Sequence, residues 1–153
     1  MPIDAFEHSF VVDAQPDAIY RHLSDPNSYV GLTPRVVEVR DIRLGQDDDG
    51  HNIIEYVAVE RFRAGKLLHW DSRSNVLLTL TQPGVELVSS AIGRGGVRLR
   101  ARVTLAPAPQ GTQVREAIEV NSPAPLRPFV VGRARAVQLT RAQELTRRMT
   151  RRP

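Results

Sequence analysis

Two hydrophobic periods divide the chain. Val97, Leu99, Ala101, Val103 and Leu105 alternate with Arg98, Arg100, Arg102 and Thr104, the period of two that sends successive side chains to opposite faces of a strand. Val114, Glu116, Ile118 and Val120 alternate in the same way with Gln113, Arg115, Ala117 and Glu119. Less regular alternation over 6–12, 36–44, 52–62, 67–80 and 85–92 predicts five further strands. After Pro123 and Pro125 the period changes. Leu126, Val130, Ala134 and Val137 share one helical face, and Ala142, Leu145 and Met149 continue an apolar stripe displaced around it. The spacing predicts a helix over 125–152 that bends, or that meets a different surface, at its middle. Roughly 25 residues at about 1.5 Å each make a rod near 40 Å long, enough to cross a small domain.

Between the first strand and the second the pattern is helical and short. Pro16 stands in the first turn of a helix carrying Ala18, Ile19, Tyr20 and Leu23, and Asp25-Pro26 opens a second through Ser28, Tyr29 and Leu32, ended at Thr33-Pro34. The remaining connections are turns. Asp47-Asp48-Asp49-Gly50 lacks the spaced ligands and terminal Glu of a calcium loop and reads as a hairpin turn. Gly93-Arg94-Gly95-Gly96 lies between strands, not before the helix a phosphate-binding loop requires. Strands joined by tight turns are antiparallel, and a sheet with one apolar face needs cover. The reading is an α+β domain spanning 1–153: a seven-stranded curved antiparallel sheet wrapped around the C-terminal helix, with two short helices after the first strand.

Composition changes this picture in two places. There is no cysteine, which removes thiol chemistry and cysteine-ligated metals, and there is neither an apolar run long enough to span a bilayer nor a leader-like N-terminus, so a cytoplasmic location is expected. The net charge of +4 is unevenly placed: residues 125–153 hold eight arginines against Glu144, which leaves the rest of the chain acidic. Such a helix reads as a solvated outer face, with an anionic partner as the alternative. Its end, Arg147, Arg148, Arg151 and Arg152, reads as frayed.

The element order, together with Gln15-Pro16-Asp17-Ala18-Ile19-Tyr20 and Leu23-Ser24-Asp25-Pro26-Asn27-Ser28-Tyr29, resembles the START-like or Bet v 1-like (SRPBCC) superfamily, in particular its bacterial polyketide cyclase/dehydrase and lipid-transport branch. The resemblance implies a helix-grip fold with a cavity between sheet and helix. It also implies an apolar or aromatic small-molecule ligand, lipid-like or polyketide-like; some relatives are cyclases or aromatases, and others bind a partner protein or the ribosome.

The residues themselves name no catalyst. No histidine pair has metal-ligand spacing and no nucleophile stands beside a base, so catalytic residues are left unassigned and neither a metal nor a cofactor is expected. Glu116 and Glu119 fall on opposite faces of one strand, as do Glu55 and Glu60. The candidates for the cavity are Tyr29, Tyr56, His69, Trp70, Phe129, Arg133 and Val137. Arg61 and Arg73 depend on a register that apolar residues on both faces leave open: Tyr56 opposes Arg61 in parity, and Trp70 opposes His69 and Arg73. An inward Arg133 must meet a buried acid or an anionic ligand group, since an unpaired buried charge is costly. Ligand identity, turnover and oligomeric state are not legible.

Overall fold

The computed structural model describes residues 3–150. Seven antiparallel strands run β1 (Ile3–Val12), β2 (Val36–Gln46), β3 (Asn52–Ala64), β4 (Leu68–Gln82), β5 (Glu86–Ile92), β6 (Arg98–Ala108) and β7 (Gly111–Asn121). They form one sheet in the order β1-β7-β6-β5-β4-β3-β2. Helix α1 (Pro16–Leu23) and a 3-10 turn, Pro26–Tyr29, follow β1; α2 (Arg127–Thr150) ends the described chain, with Pro128 in its first turn. This is the helix-grip architecture that the resemblance implies. Six strands form a meander, and β1 closes it by pairing with β7 along its whole length, from Ile3↔Asn121 to Val12↔Thr112. At that corner Gly111 is obligatory: a Cβ there would stand 2.1 Å from the carbonyl oxygen of Val12. Thr112 Oγ1 ties the same corner by donating to the Ala14 carbonyl at 2.7 Å.

Register settles which face is which. Inward rows are Ile54, Tyr56, Ala58, Glu60 and Phe62 on β3; Ser72, Ser74, Val76 and Leu78 on β4; Leu99, Ala101, Val103 and Leu105 on β6; and Val114, Glu116, Ile118 and Val120 on β7. These rows do not pack evenly. At one end, Ile19, Leu23, Leu32, Leu78, Leu87, Leu105 and Leu145 build a tight core under α1. At the other, the buried residues are small or few, Ala101, Ile118 and Val120, with Leu99, Val130 and Ala134 half-buried around them. Bulky leucines therefore fill one end of the groove, whereas serine, alanine and glycine leave space at the other.

Helix α2 carries one continuous inner stripe, and the displacement seen in sequence has a simple cause. Ala134, Gln138, Ala142, Leu145 and Met149 follow one another at three- or four-residue steps, and Gln138 is among the buried members. A polar residue sits where the pattern requires an apolar one, because what lies beneath it is polar.

The end of α2 corrects the expectation of fraying. Arg148 donates to the carbonyls of Ser28 at 2.6 Å and Val30 at 2.9 Å, and its Nη1 lies 3.3 Å from His22 Nε2. Met149 packs against the main core. Arg151 and Arg152 lie outside the described residues. Arg148 thus fastens the helix to the turn that closes the tight end. Burial and the nearby Arg148 charge both hold the His22 pKa below its ordinary value, with Asp25 opposing them. Arg148→Ala should destabilise the fold by about 2 kcal/mol in urea titration, because it removes charge-assisted bonds to two carbonyls. Arg147→Ala, which removes an exposed side chain paired with Glu144 one helical turn away, should leave the urea midpoint close to the wild-type value.

Candidate functional site

The loosely packed end holds a cavity of about 310 Å³ between the sheet and α2. Its floor is apolar, from Leu99 and Ile118; Ser72 and Ser74 of β4 add hydroxyls; Phe129, Val130, Arg133 and Val137 line it from the helix. Two charged clusters bound it.

The inner cluster is Arg141 and Glu116. Glu116 lies in the apolar row of β7 and Arg141 on α2, and their side chains are 11% and 18% exposed, joined by a direct ion pair from Nη2 to Oε1. Gln138 Nε2 donates to the Glu116 backbone carbonyl at 3.1 Å. Burial works against the Arg141 charge, but the Glu116 carboxylate, its hydrogen bond and the nearby Tyr29 and Tyr56 more than offset this and hold the guanidinium above its ordinary pKa. Beyond this pair lies a small cavity of about 40 Å³, among Phe10, Tyr29, Leu87 and Leu145. The pair divides an open compartment from a filled one.

The outer cluster gathers at the mouth. Arg133 lies over the Phe62 ring, 4.4 Å from its centroid, and Arg35 approaches the same ring at 5.2 Å. Trp70 stacks on Phe62 with centroids 5.8 Å apart, as their pairing across β3 and β4 dictates. Glu60 is 3.8 Å from Arg133. Burial raises the Glu60 carboxyl above its ordinary pKa, against the pull of Arg133 and Arg35. Burial likewise lowers Arg133, with Glu60 opposing and Arg35 reinforcing.

The sequence candidates therefore separate. Phe129, Arg133 and Val137 line the cavity, Phe129 as a rim residue 69% exposed. Trp70 borders it through Phe62. Tyr29 and Tyr56 stack on each other at 6.2 Å on the filled side of the divider, and the Tyr29 hydroxyl is spent on the Leu23 carbonyl at 2.6 Å. Burial raises the pKa of both hydroxyls, so both stay protonated. His69 is a correction: strand parity sends it outward with Arg73 and Arg61, where it is exposed and takes no part in the cavity. Arg61 pairs outside with Asp71 at 2.9 Å.

Sequence reasoning missed Arg35, Glu60, Phe62, Glu116 and Arg141. Two of these carried a signal. Glu116 interrupts Val114-x-x-x-Ile118-x-Val120, and Glu60 sits between Ala58 and Phe62; an acid in an inward apolar row asks for a buried partner. Nothing comparable marks Arg141 among the arginines of α2. In the β2–β3 loop, Asp47, Asp49 and His51 bring ligand-type atoms within 4.8 Å of one another. Asp47 there accepts from the backbone amides of Asp49 at 3.0 Å and His51 at 2.9 Å, which closes the turn.

Comparison with known proteins agrees with this fold. The family model described as polyketide cyclase/dehydrase and lipid transport matches residues 4–152. No curated protein matches the chain by sequence. A protein from Chromobacterium violaceum is similar in structure, with a TM-score of 0.62 and 17% identity over 97% of this chain and 99% of that one. The Zhui aromatase/cyclase from Streptomyces sp. R1128 superposes with a TM-score of 0.65 and 15% identity over 96% of each chain. The di-domain aromatase/cyclase BexL from the BE-7585A biosynthetic pathway gives 0.68 at 14% identity; 99% of this chain is covered but only 51% of that one. At such identities the likeness shows the fold alone. No described helix is long and apolar enough to cross a membrane.

The divider makes a clear prediction. Glu116→Leu or Arg141→Met alone should cost about 3–5 kcal/mol, because each leaves an uncompensated buried charge. The combined Glu116→Leu, Arg141→Met protein should recover most of that loss. Chemical denaturation of the three variants measures both, and strict additivity would show that the two groups are not coupled.

Proposed function

The chain belongs to the polyketide cyclase/dehydrase and lipid-transport family, and we propose that it binds an apolar or aromatic small molecule, lipid-like or polyketide-like, in the cavity between its sheet and α2. The observation that carries this reading is the uneven packing of the groove. The same sheet and helix that close tightly on leucines at one end leave about 310 Å³ open at the other, within the range of ligand sites. The walls are apolar with a few oriented polar groups, which is the composition that holds such molecules.

A second reading, cyclisation of a bound poly-carbonyl chain, draws on one further feature. Among the described residues lining the cavity Glu60 is the only carboxylate, the one group there of the general acid–base type, and burial holds its pKa above the ordinary value against the pull of Arg133 and Arg35. Glu60→Gln that still binds a poly-carbonyl substrate but no longer cyclises it would select this reading over simple binding.

Trp70 makes the binding test direct. It is the only tryptophan, is 46% exposed and stacks on the cavity-lining Phe62. A panel of lipids, flavonoids and polyketides should contain members that shift its emission. At a hundredfold excess over Kd they should add about 2.7 kcal/mol of stability by mass action, seen as a raised Tm. Ser74→Leu, which fills the cavity, should abolish both effects while leaving a cooperatively melting protein. A panel with no member that moves either emission or Tm would sink the ligand-binding reading.

A further inference from the structure

The outer cluster holds more positive charge than it needs for itself. Arg35 and Arg133 share the Phe62 ring, and the carboxylate among them is Glu60. Two guanidiniums and one carboxylate leave a single net positive charge at the mouth. At 3.8 Å the Glu60–Arg133 contact is a loose ion pair, too long for a hydrogen bond. Among the described residues no hydrogen bond engages the side chain of either arginine, although each carries a fork of donors suited to a planar anion. The inner arginine is different, since Arg141 is bonded directly to Glu116.

Backbone geometry supports a role for Arg35. It sits at φ 77°, a left-handed conformation that a non-glycine residue holds only when its surroundings enforce it, and such strain gathers at binding sites. Its carbonyl accepts from the Arg61 amide at 2.8 Å, which fixes the strained residue to β3. An open groove of about 580 Å³ between Pro34, Arg35 and the start of α2 shares Phe129, Arg133 and Val137 with the cavity. Both arginines therefore stand where solvent meets the ligand space.

We propose that the ligand is an amphipathic monocarboxylate whose apolar body occupies the cavity and whose carboxylate is held at the mouth by Arg133 and Arg35. This rests on the ligand-cavity reading above and adds the chemistry of the head group. A monoanion matches the net charge of the cluster, where a phosphate dianion would exceed it. The carboxylate supplies the acceptors that both guanidiniums lack, and it relieves the repulsion between two cations crowded on one ring. The Phe62 face, the Val130 side chain and the Leu99–Ile118 floor then receive the apolar body, and the Glu116–Arg141 divider ends its reach.

Decanoate and decan-1-ol share a chain and differ in the head group, so titrating both against Trp70 emission, with calorimetry in parallel, separates the two claims. The wild-type protein should bind both and prefer decanoate by about tenfold to a hundredfold, the worth of charge-assisted hydrogen bonds. Arg133→Met and Arg35→Met should each lower decanoate affinity more than decan-1-ol affinity, and so reduce that preference. Glu60→Gln removes the competing carboxylate and should strengthen decanoate binding; a structural role for the cluster would not move the acid and the alcohol apart in this way. Equal affinity for acid and alcohol, or a preference that survives in both arginine variants, overturns the carboxylate proposal and leaves the cavity reading standing. Failure of both ligands to bind, with Tm unmoved, overturns the cavity reading and this proposal with it.

Discussion

The interior depends on one ion pair. Glu116 of β7 and Arg141 of α2 meet inside the groove, and Gln138 bonds the backbone of the same strand residue. Taking a carboxylate and a guanidinium out of water is expensive, and only close pairing with further hydrogen bonds offsets it. Apolar contacts alone could let a smooth helix slide along a curved sheet, because the hydrophobic effect has no direction. A buried charge pair allows one register, since any shift leaves two ions unmet. We infer that this contact fixes where α2 crosses the sheet, and hence which side chains face each other on either side of it.

That crossing point explains the asymmetry of the groove. On one side, α1 and the Pro26–Tyr29 turn close over leucines, with Tyr20 donating to the Glu86 carbonyl at 2.8 Å and Arg148 gripping Ser28 and Val30. The Tyr29 hydroxyl there is likewise taken, by the Leu23 carbonyl. On the other side the inward positions of β4 and of β5 and its turn are small: Ser72, Ser74, Ala91 and Gly93. None of these can reach across to α2. The cavity is thus the part of the interior that small side chains leave unfilled.

How much of this was legible follows from which signals are local. Strand and helix order came from periods of two and of about four, which depend only on neighbours in sequence, and β6 and β7 were the plainest because one face of each is polar. β3 and β4 were harder: Val57 and Val59 are apolar yet point outward, and Val59 is nearly inaccessible, so alternation could not tell inside from outside and His69 stayed a candidate until pairing excluded it. Glu116 was legible as an anomaly in an apolar row. Arg141 was not, because it differs from its neighbouring arginines only in what the fold places beneath it. The frayed reading of Arg148 failed for the same reason, since its partners lie about 120 residues away.

The two charged clusters are one arrangement used at two depths. Arg133 and Arg141 are eight residues apart on α2, so about 12 Å of helix separates them, and each faces an acid from an inward strand row, Glu60 of β3 and Glu116 of β7. The difference lies in saturation. The inner guanidinium is bonded directly to its acid, with Tyr29 and Tyr56 nearby, in a low-dielectric setting where loss of either partner is severe. The outer pair stands off at 3.8 Å, shares its aromatic face with a second arginine, and opens to water. A saturated pair can only hold structure; an unsaturated one still has donors to give. With an apolar compartment between them, the proposed ligand would be limited in depth by the inner pair and oriented by the outer one.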